Sequence, residues 1–169
     1  MMTYEGDAVP AVNFKIREDG EFVTRNSYEL FGNKRVVLFA LPGAFTPTCS
    51  TQQLPGYEAL YEDFQDYADE VYCLSVNDSF VMNAWAENLD IKNVKMLPDG
   101  SCDFTYSMGM AVSKDNLGFG VRSWRYAAVI ENGRLEKLFE EEGQEDDHPA
   151  DPFEVSSAES VLEYLRANS

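Results

Sequence analysis

The sequence predicts an α/β fold: a central mixed β-sheet flanked by helices, with an N-terminal β-hairpin. Three observations point to it. Val36-Val37-Leu38-Phe39-Ala40-Leu41 and Val71-Tyr72-Cys73-Leu74-Ser75-Val76 are nearly continuous apolar runs of strand length, as in strands covered on both faces. Each is followed by residues at helical spacing. Alternating segments flank Asp19-Gly20 and again Asn132-Gly133, dipeptides suited to the positive-φ backbone of tight hairpins. Strand, helix, strand, helix and then hairpin and helix is the order of a sheet sandwiched between helices.

Taken in order, Phe14 to Arg17 and Glu21 to Thr24 form the first hairpin, and Asn26-Ser27 opens a helical turn that runs to Phe31. The Val36 to Leu41 strand stops at Pro42-Gly43. From Cys49 to about Tyr67, Leu54, Tyr57, Leu60, Tyr61 and Phe64 recur at helical spacing, which predicts a long amphipathic helix kinked at Pro55. Thr46 or Thr48 is its expected cap. After the Val71 strand, Asp78 or Ser79 caps a helix carrying Val81, Met82, Trp85 and Leu89. Val94 to Leu97 is a short strand ending in the Pro98-Asp99-Gly100 turn, and Phe104 to Met110 reads as helical. Trp124 to Ile130 and Arg134 to Phe139 make the second hairpin, and Ser156 to Leu165 a closing helix with Val161, Leu162 and Leu165 inward.

The 169 residues are expected to form one domain, 44% hydrophobic and 13% aromatic, with no repeat or linker. No run approaches the roughly 18 apolar residues of a membrane span, and Tyr4-Glu5-Gly6-Asp7 arrives before any signal-peptide core could form. A formal charge of −17 opposes binding to nucleic acid and to anionic membranes. Much of the excess lies in Glu140-Glu141-Glu142 and Glu145-Asp146-Asp147, read as a solvated loop. Three scattered cysteines suggest a reducing cytoplasm rather than a disulfide framework. With His148 the only histidine, no metal site is expected, and Gly118-x-Gly120 is too short for a dinucleotide motif.

The chemistry is expected at Cys49. Two prolines, two threonines and a serine around one sulfur make a stiff, hydrogen-bonding loop. A cysteine in the first turn of a helix faces unpaired N–H groups and the positive dipole end, which favour thiolate over thiol. A buried, inert cysteine is the competing reading.

Pro42, Thr46 and Cys49 fit the P-x-x-x-T-x-x-C signature of the peroxiredoxins, and PGAFTPTCS resembles the type II, peroxiredoxin-5-like branch. The resemblance continues through Leu74 to Asp78, Phe80 to Trp85 and Gly118 to Tyr126. Around Met108-Gly109-Met110 and Asp151-Pro152-Phe153 the chain is similar to the peroxidase half of bacterial peroxiredoxin–glutaredoxin fusions, and it is expected to lack the glutaredoxin half. This resemblance implies a thioredoxin-like fold and a thiol peroxidase acting on hydrogen peroxide and small alkyl hydroperoxides, with no cofactor. It further implies that Cys49 is the peroxidatic nucleophile, that Thr46 hydrogen-bonds the peroxide and that Pro42 shields the sulfur.

Arg125 is the expected cation, placed in a strand from Ser123 to Val129 whose apolar context makes an unpaired charge costly. Arg122 is the weaker alternative, expected in a loop facing solvent or a carboxylate. Relatives often carry His near Gln53, which here cannot titrate. Cys73 and Cys102 are the candidate resolving thiols: Cys73 matches a strand cysteine of relatives but sits in an apolar run, and Cys102 follows a turn. One-cysteine turnover with glutathione and glutaredoxin is therefore favoured, with thioredoxin as the other reductant. A homodimer through Phe45, Phe80 and Phe119 is expected, because each lies beside small or polar residues. The competing function is a redox sensor or chaperone-like protein switched by oxidation of Cys49.

Overall fold

The computed structural model describes residues 2–169. Strands β1 (Asn13–Glu18) and β2 (Glu21–Asn26) form the expected hairpin, with Asp19 at φ 51° and Gly20 at φ 81° in the turn. Asn26 then caps α1 (Ser27–Phe31) through a reciprocal pair of bonds with Glu29. The main sheet contains β3 (Arg35–Ala40), β4 (Glu70–Ser75), β5 (Lys95–Pro98), β8 (Tyr126–Glu131) and β9 (Arg134–Glu140), in the order β5-β4-β3-β8-β9. β3, β4 and β5 run parallel, whereas β8 and β9 are antiparallel additions. Between them lies a small two-stranded ribbon that the sequence pattern did not announce, β6 (Ala111–Ser113) with β7 (Val121–Ser123).

β3 is apolar throughout because both of its faces are covered. Val36, Leu38 and Ala40 point to one side, against Phe14, Phe31, Phe104, Met108, Met110 and Trp124. Val37, Phe39 and Leu41 point to the other, against Leu54, Tyr57, Phe64, Trp85 and the inner face of α6 (Ala158–Ala167). On that second side Phe39 stacks on Tyr57 with ring centroids 3.9 Å apart, and Tyr57 on Phe64 at 5.5 Å. The stack fixes where the segment after Cys49 lies on the sheet, and truncating a ring of this kind costs about 3–5 kcal/mol.

The long helix expected from Cys49 to Tyr67 is instead three pieces. Cys49–Gln53 is a π-helical turn, followed by α2 (Leu54–Ala59) and α3 (Tyr61–Phe64). Pro55 has no N–H to offer the carbonyl of Thr51, and the widened turn precedes it, with Leu54 N bonded to Cys49 O. The break falls at Leu60 (φ −100°, ψ 12°) rather than as a kink at Pro55. Helix α4 (Ser79–Asn88) is capped by Asp78, which accepts from Val81 N. Ser79 instead accepts from Arg17 N at 2.8 Å, tying the N-terminal hairpin to the core. Helix α5 (Asp103–Ser107) is capped by buried Asp99, which accepts from the N–H groups of Phe104 and Thr105. Among the described residues no helix is long and apolar enough to cross a membrane.

The acidic run is not a uniformly solvated loop. Glu141 is buried, and its carboxylate accepts from the backbone N–H groups of Glu154, Val155 and Ser156 and from Ser156 Oγ. Asp146 and Asp147 accept from Ser113 N and Asn116 N. Charge density in the sequence does not reveal which carboxylates meet backbone donors.

Candidate active site

The loop after β3 is built by short-range bonds. Leu41 N bonds Leu74 O at 3.2 Å, and Pro42, with no N–H, ends the pairing. Thr46 N and Thr46 Oγ1 both donate to Gly43 O, at 3.4 and 2.7 Å, closing a turn in which Phe45 takes the left-handed backbone (φ 65°). Asn77 ties the turn to the end of β4, its Oδ1 accepting from Ala44 N at 3.0 Å and from Ser75 Oγ at 2.6 Å. Ser50 N bonds Thr46 O at 3.0 Å, so the helix starts at Pro47 and Cys49 stands in its first turn, as expected. The expected side-chain cap is absent: Thr46 turns back to Gly43, and Thr48 is itself helical with no capping bond. Proline as the first helical residue does the work of starting the turn.

Arg125 is 1% exposed and its Nη1 lies 3.5 Å from Cys49 Sγ. It sits in the two-residue gap between β7 and β8, not within a strand as the pattern suggested. Four other groups hold it. Asp151 Oδ1 accepts from Nη2 at 2.6 Å, Pro152 O accepts from Nε at 3.1 Å, Gln53 Oε1 accepts from Nη1, and the Phe153 ring lies 5.6 Å from the guanidinium carbon. Burial pulls the guanidinium pKa down, but the negative charges of Cys49 and Asp151 outweigh it and raise the value further, so the group is a permanent cation. Glu141 supports this from behind, since its bonds to Glu154, Val155 and Ser156 fasten the segment that carries Asp151, Pro152 and Phe153.

Among the described residues Arg122 pairs with no carboxylate, and it is only partly open to solvent. It lies in β7, half-buried, and donates to Pro42 O at 3.0 Å and Phe119 O at 3.2 Å. Burial lowers its pKa, with the Cys49 charge opposing. It clamps the loop, and a Cβ on Gly43 would overlap its Nη1. Arg125 and Arg122 therefore divide the work: one faces the sulfur, the other holds the backbone beside it.

The other two cysteines sit in different settings. Cys73 is fully buried in β4, in register with Phe39, and burial pushes its thiol pKa well up, with the Cys49 charge adding to the effect. Cys102 is partly exposed in the left-handed region (φ 66°), and burial followed by the Asp99 charge raises its pKa. All three are free thiols. Phe45 and Phe80 are more than half exposed, whereas Phe119 is half-buried under the Arg122 guanidinium at 5.2 Å. Among the described residues no group of three or more His, Cys, Asp or Glu could hold a metal ion.

Sequence reasoning missed Asp151, Asn77, Glu141 and the anchoring roles of Gln53 and Arg122. Asp151-Pro152-Phe153 and Asn77 did lie within segments that carried the family resemblance. Glu141 gave no local signal.

A thiol at a helix start, a buried arginine against it and a rigid proline-rich loop define a thiol-based redox enzyme of thioredoxin-like fold. Residues 4–162 match the Redoxin family model. The chain is 53% identical over 169 residues to a peroxiredoxin of Rhizobium etli, with 94% of each chain covered. The fold superposes on a crystal structure of the Plasmodium falciparum antioxidant protein, titled a 1-Cys peroxiredoxin (TM-score 0.94, 40% identity, 98% and 100% of the two chains). It also superposes on reduced Prx3 of Vibrio vulnificus in complex with hydrogen peroxide (TM-score 0.89, 39% identity, 97% and 99%). The chain belongs to the peroxiredoxins.

Proposed function

We propose that this peroxiredoxin reduces hydrogen peroxide and small alkyl hydroperoxides through Cys49, and that a glutathione and glutaredoxin system restores the thiol. The observation that carries the reading is the 3.5 Å approach of Arg125 Nη1 to Cys49 Sγ between two buried side chains, which sets a fixed cation against the sulfur. The thiolate attacks one peroxide oxygen, the O–O bond breaks, and the other oxygen takes a proton and leaves as water or alcohol. Cys49 becomes a sulfenic acid. Negative charge moves from sulfur to the leaving oxygen, so donors already aimed at that region lower the barrier without reorganising. Thr46 Oγ1 bonds the peroxide, Arg125 steadies both oxygens, and Pro42 keeps water from the sulfur.

Recycling by an external thiol is supported by the burial of Cys73 in the central sheet, which pushes its thiol pKa well up and leaves little nucleophilic thiolate at neutral pH. The Plasmodium falciparum antioxidant protein, described as a 1-Cys peroxiredoxin, points the same way. The reading assigns no resolving role to Cys102, whose thiol pKa is raised by burial and by the Asp99 charge. The reading places the protein in the cytoplasm and makes it a homodimer through the exposed Phe45 and Phe80 and the neighbouring Phe119. Sedimentation of the reduced protein at micromolar concentration tests the last point, and a monomer at low and high salt overturns it.

The main experiment is a steady-state peroxidase assay with glutathione and glutaredoxin compared against thioredoxin. Rapid multiple turnover with the first pair is expected. Stoichiometric oxidation of Cys49 without recycling would replace the enzyme with a redox sensor.

A further inference from the structure

A cavity of about 380 Å³ opens between the loop that leads to Cys49 and two distant segments. Its walls include Pro42, Thr46 and Thr48 on one side and Lys114, Phe119 and His148 on the other. The volume falls within the roughly 300 to 1,000 Å³ of small-molecule sites. Lys114 is the unexplained group. Its residue is 4% exposed, yet among the described residues its ammonium makes no ion pair and no hydrogen bond, and it lies over the Trp124 ring with the centroid 5.7 Å away. Its stem is buried while the ammonium has no protein acceptor, and a ring face compensates an unpaired cation only in part. Position is not left to chance: Lys114 N donates to Gly120 O at 2.8 Å, and Lys114 O accepts from Leu117 and Phe119, so the base of the 114–120 loop is fixed.

The neighbouring groups are already committed. Asp151, which also lines the cavity, pairs with Arg125 through Oδ1 at 2.6 Å, and Asp147 Oδ1 accepts from Asn116 N at 3.0 Å. His148 Nδ1 meets the backbone of Ala150, while its ring packs edge-on against Trp124 at 5.4 Å. Lys114 therefore presents an uncommitted positive charge next to the reactive loop of a chain that carries −17 overall. Such a chain repels anionic thiols, and a local counter-charge is what lets one approach.

We propose that this cavity is the subsite for a carboxylate-bearing thiol, the class to which glutathione belongs, with Lys114 binding a carboxylate while the sulfur reaches Cys49. The proposal rests on the peroxidase reading and specifies its reductant. The thiol sulfur attacks the sulfenic sulfur, an S–S bond forms, the S–OH bond breaks, and the hydroxyl leaves as water with the proton from the thiol. A second thiol then displaces the Cys49 thiolate, yielding the free enzyme and the oxidised disulfide of the reductant.

The test separates the two half-reactions. Peroxide oxidation of wild-type Cys49 in a single turnover examines the peroxidase reading alone. The sulfenic form is then mixed with glutathione, with its neutralised diethyl ester, or with 2-mercaptoethanol. Lys114→Gln is expected to slow the glutathione reaction about tenfold, as for loss of one charge-assisted hydrogen bond, and to leave the two other thiols little changed. Lys114→Arg should restore most of the glutathione rate. Equal slowing with all three thiols, or no slowing with glutathione while the peroxide step is fast in wild type, overturns the subsite. A dead peroxide step in wild type removes the peroxidase reading instead.

Discussion

Cys49 and Cys73 lie on the same apolar face of one sheet, and both are fully buried, yet their surroundings differ in one decisive respect. Cys73 sits mid-strand. Its backbone is spent in the ladder with β3 and β5, its neighbours are apolar, and burial pushes its thiol well up. Cys49 sits where a strand has ended and a helix begins, with a guanidinium 3.5 Å away. Burial alone makes a thiol inert. Burial together with a fixed cation makes a place where sulfur can carry charge without water. The cost of burying that cation is met by Asp151, the Pro152 carbonyl and Gln53, so Cys49 Sγ faces a guanidinium held in a network rather than a lone charge.

Removing the difference between the two sites should produce the largest effect. Cys49→Ser is expected to abolish peroxide turnover with the fold intact, because a hydroxyl is un-ionised at neutral pH; near wild-type turnover in a coupled assay would end the assignment. Arg125→Ala turns the Cys49 site into something closer to that of Cys73, and oxidation of Cys49 by peroxide should slow about 100- to 1,000-fold, the range for removing one preorganised donor. Stopped-flow measurement reads this directly, with Arg125→Lys retaining part of the rate because it keeps the charge but not the fork.

Loosening the support behind the cation gives a smaller effect. Glu141→Gln replaces an acceptor of several N–H groups by one that also carries donors, and should lower unfolding free energy by about 3 kcal/mol in urea titrations. On the other side of the comparison, Cys73→Ser and Cys102→Ser should each retain turnover with glutathione and glutaredoxin. Quantitative formation of a Cys49 to Cys73 or Cys49 to Cys102 disulfide after one equivalent of peroxide, read by mass spectrometry, would replace the mechanism with a two-cysteine one.

The smallest expected effect is on pH dependence. The folded Cys73 thiol titrates above its unfolded value of about 8.5. Its contribution to stability is thus fully present below that pH and is lost as pH rises toward the folded value, since only the unfolded chain releases the proton. Tyr57, Tyr72 and Tyr126 are raised by burial as well and act in the same direction at higher pH. Comparing wild type with Cys73→Ala between pH 8 and 10 isolates the cysteine. The variant should lose stability less steeply, and identical slopes would mean that the Cys73 environment is less apolar than its burial implies.

Features set by residues a few positions apart were legible in the sequence. The turns at Asp19-Gly20 and Asn132-Gly133, the Asp78 cap, the two-faced apolar strand at Val36 to Leu41 and the placement of Cys49 at a helix start all follow from local chemistry and periodicity. Each depends on bonds or spacings within one or two turns of chain, which a linear pattern records. The long helix after Cys49 was misjudged because apolar spacing is nearly the same for an unbroken helix and for one interrupted at a π turn and at Leu60. Arg125 could be named from its costly apolar setting. What tertiary structure decided was where its charge is met: Cys49 lies 76 positions away and Asp151 lies 26. Likewise, six acidic residues in a short run look alike in sequence, and only the return of the chain at Glu154 to Ser156 turns Glu141 inward. A sequence carries the identity of each donor and acceptor; which pairs form is settled when folding brings distant segments together and removes the water that would otherwise satisfy them.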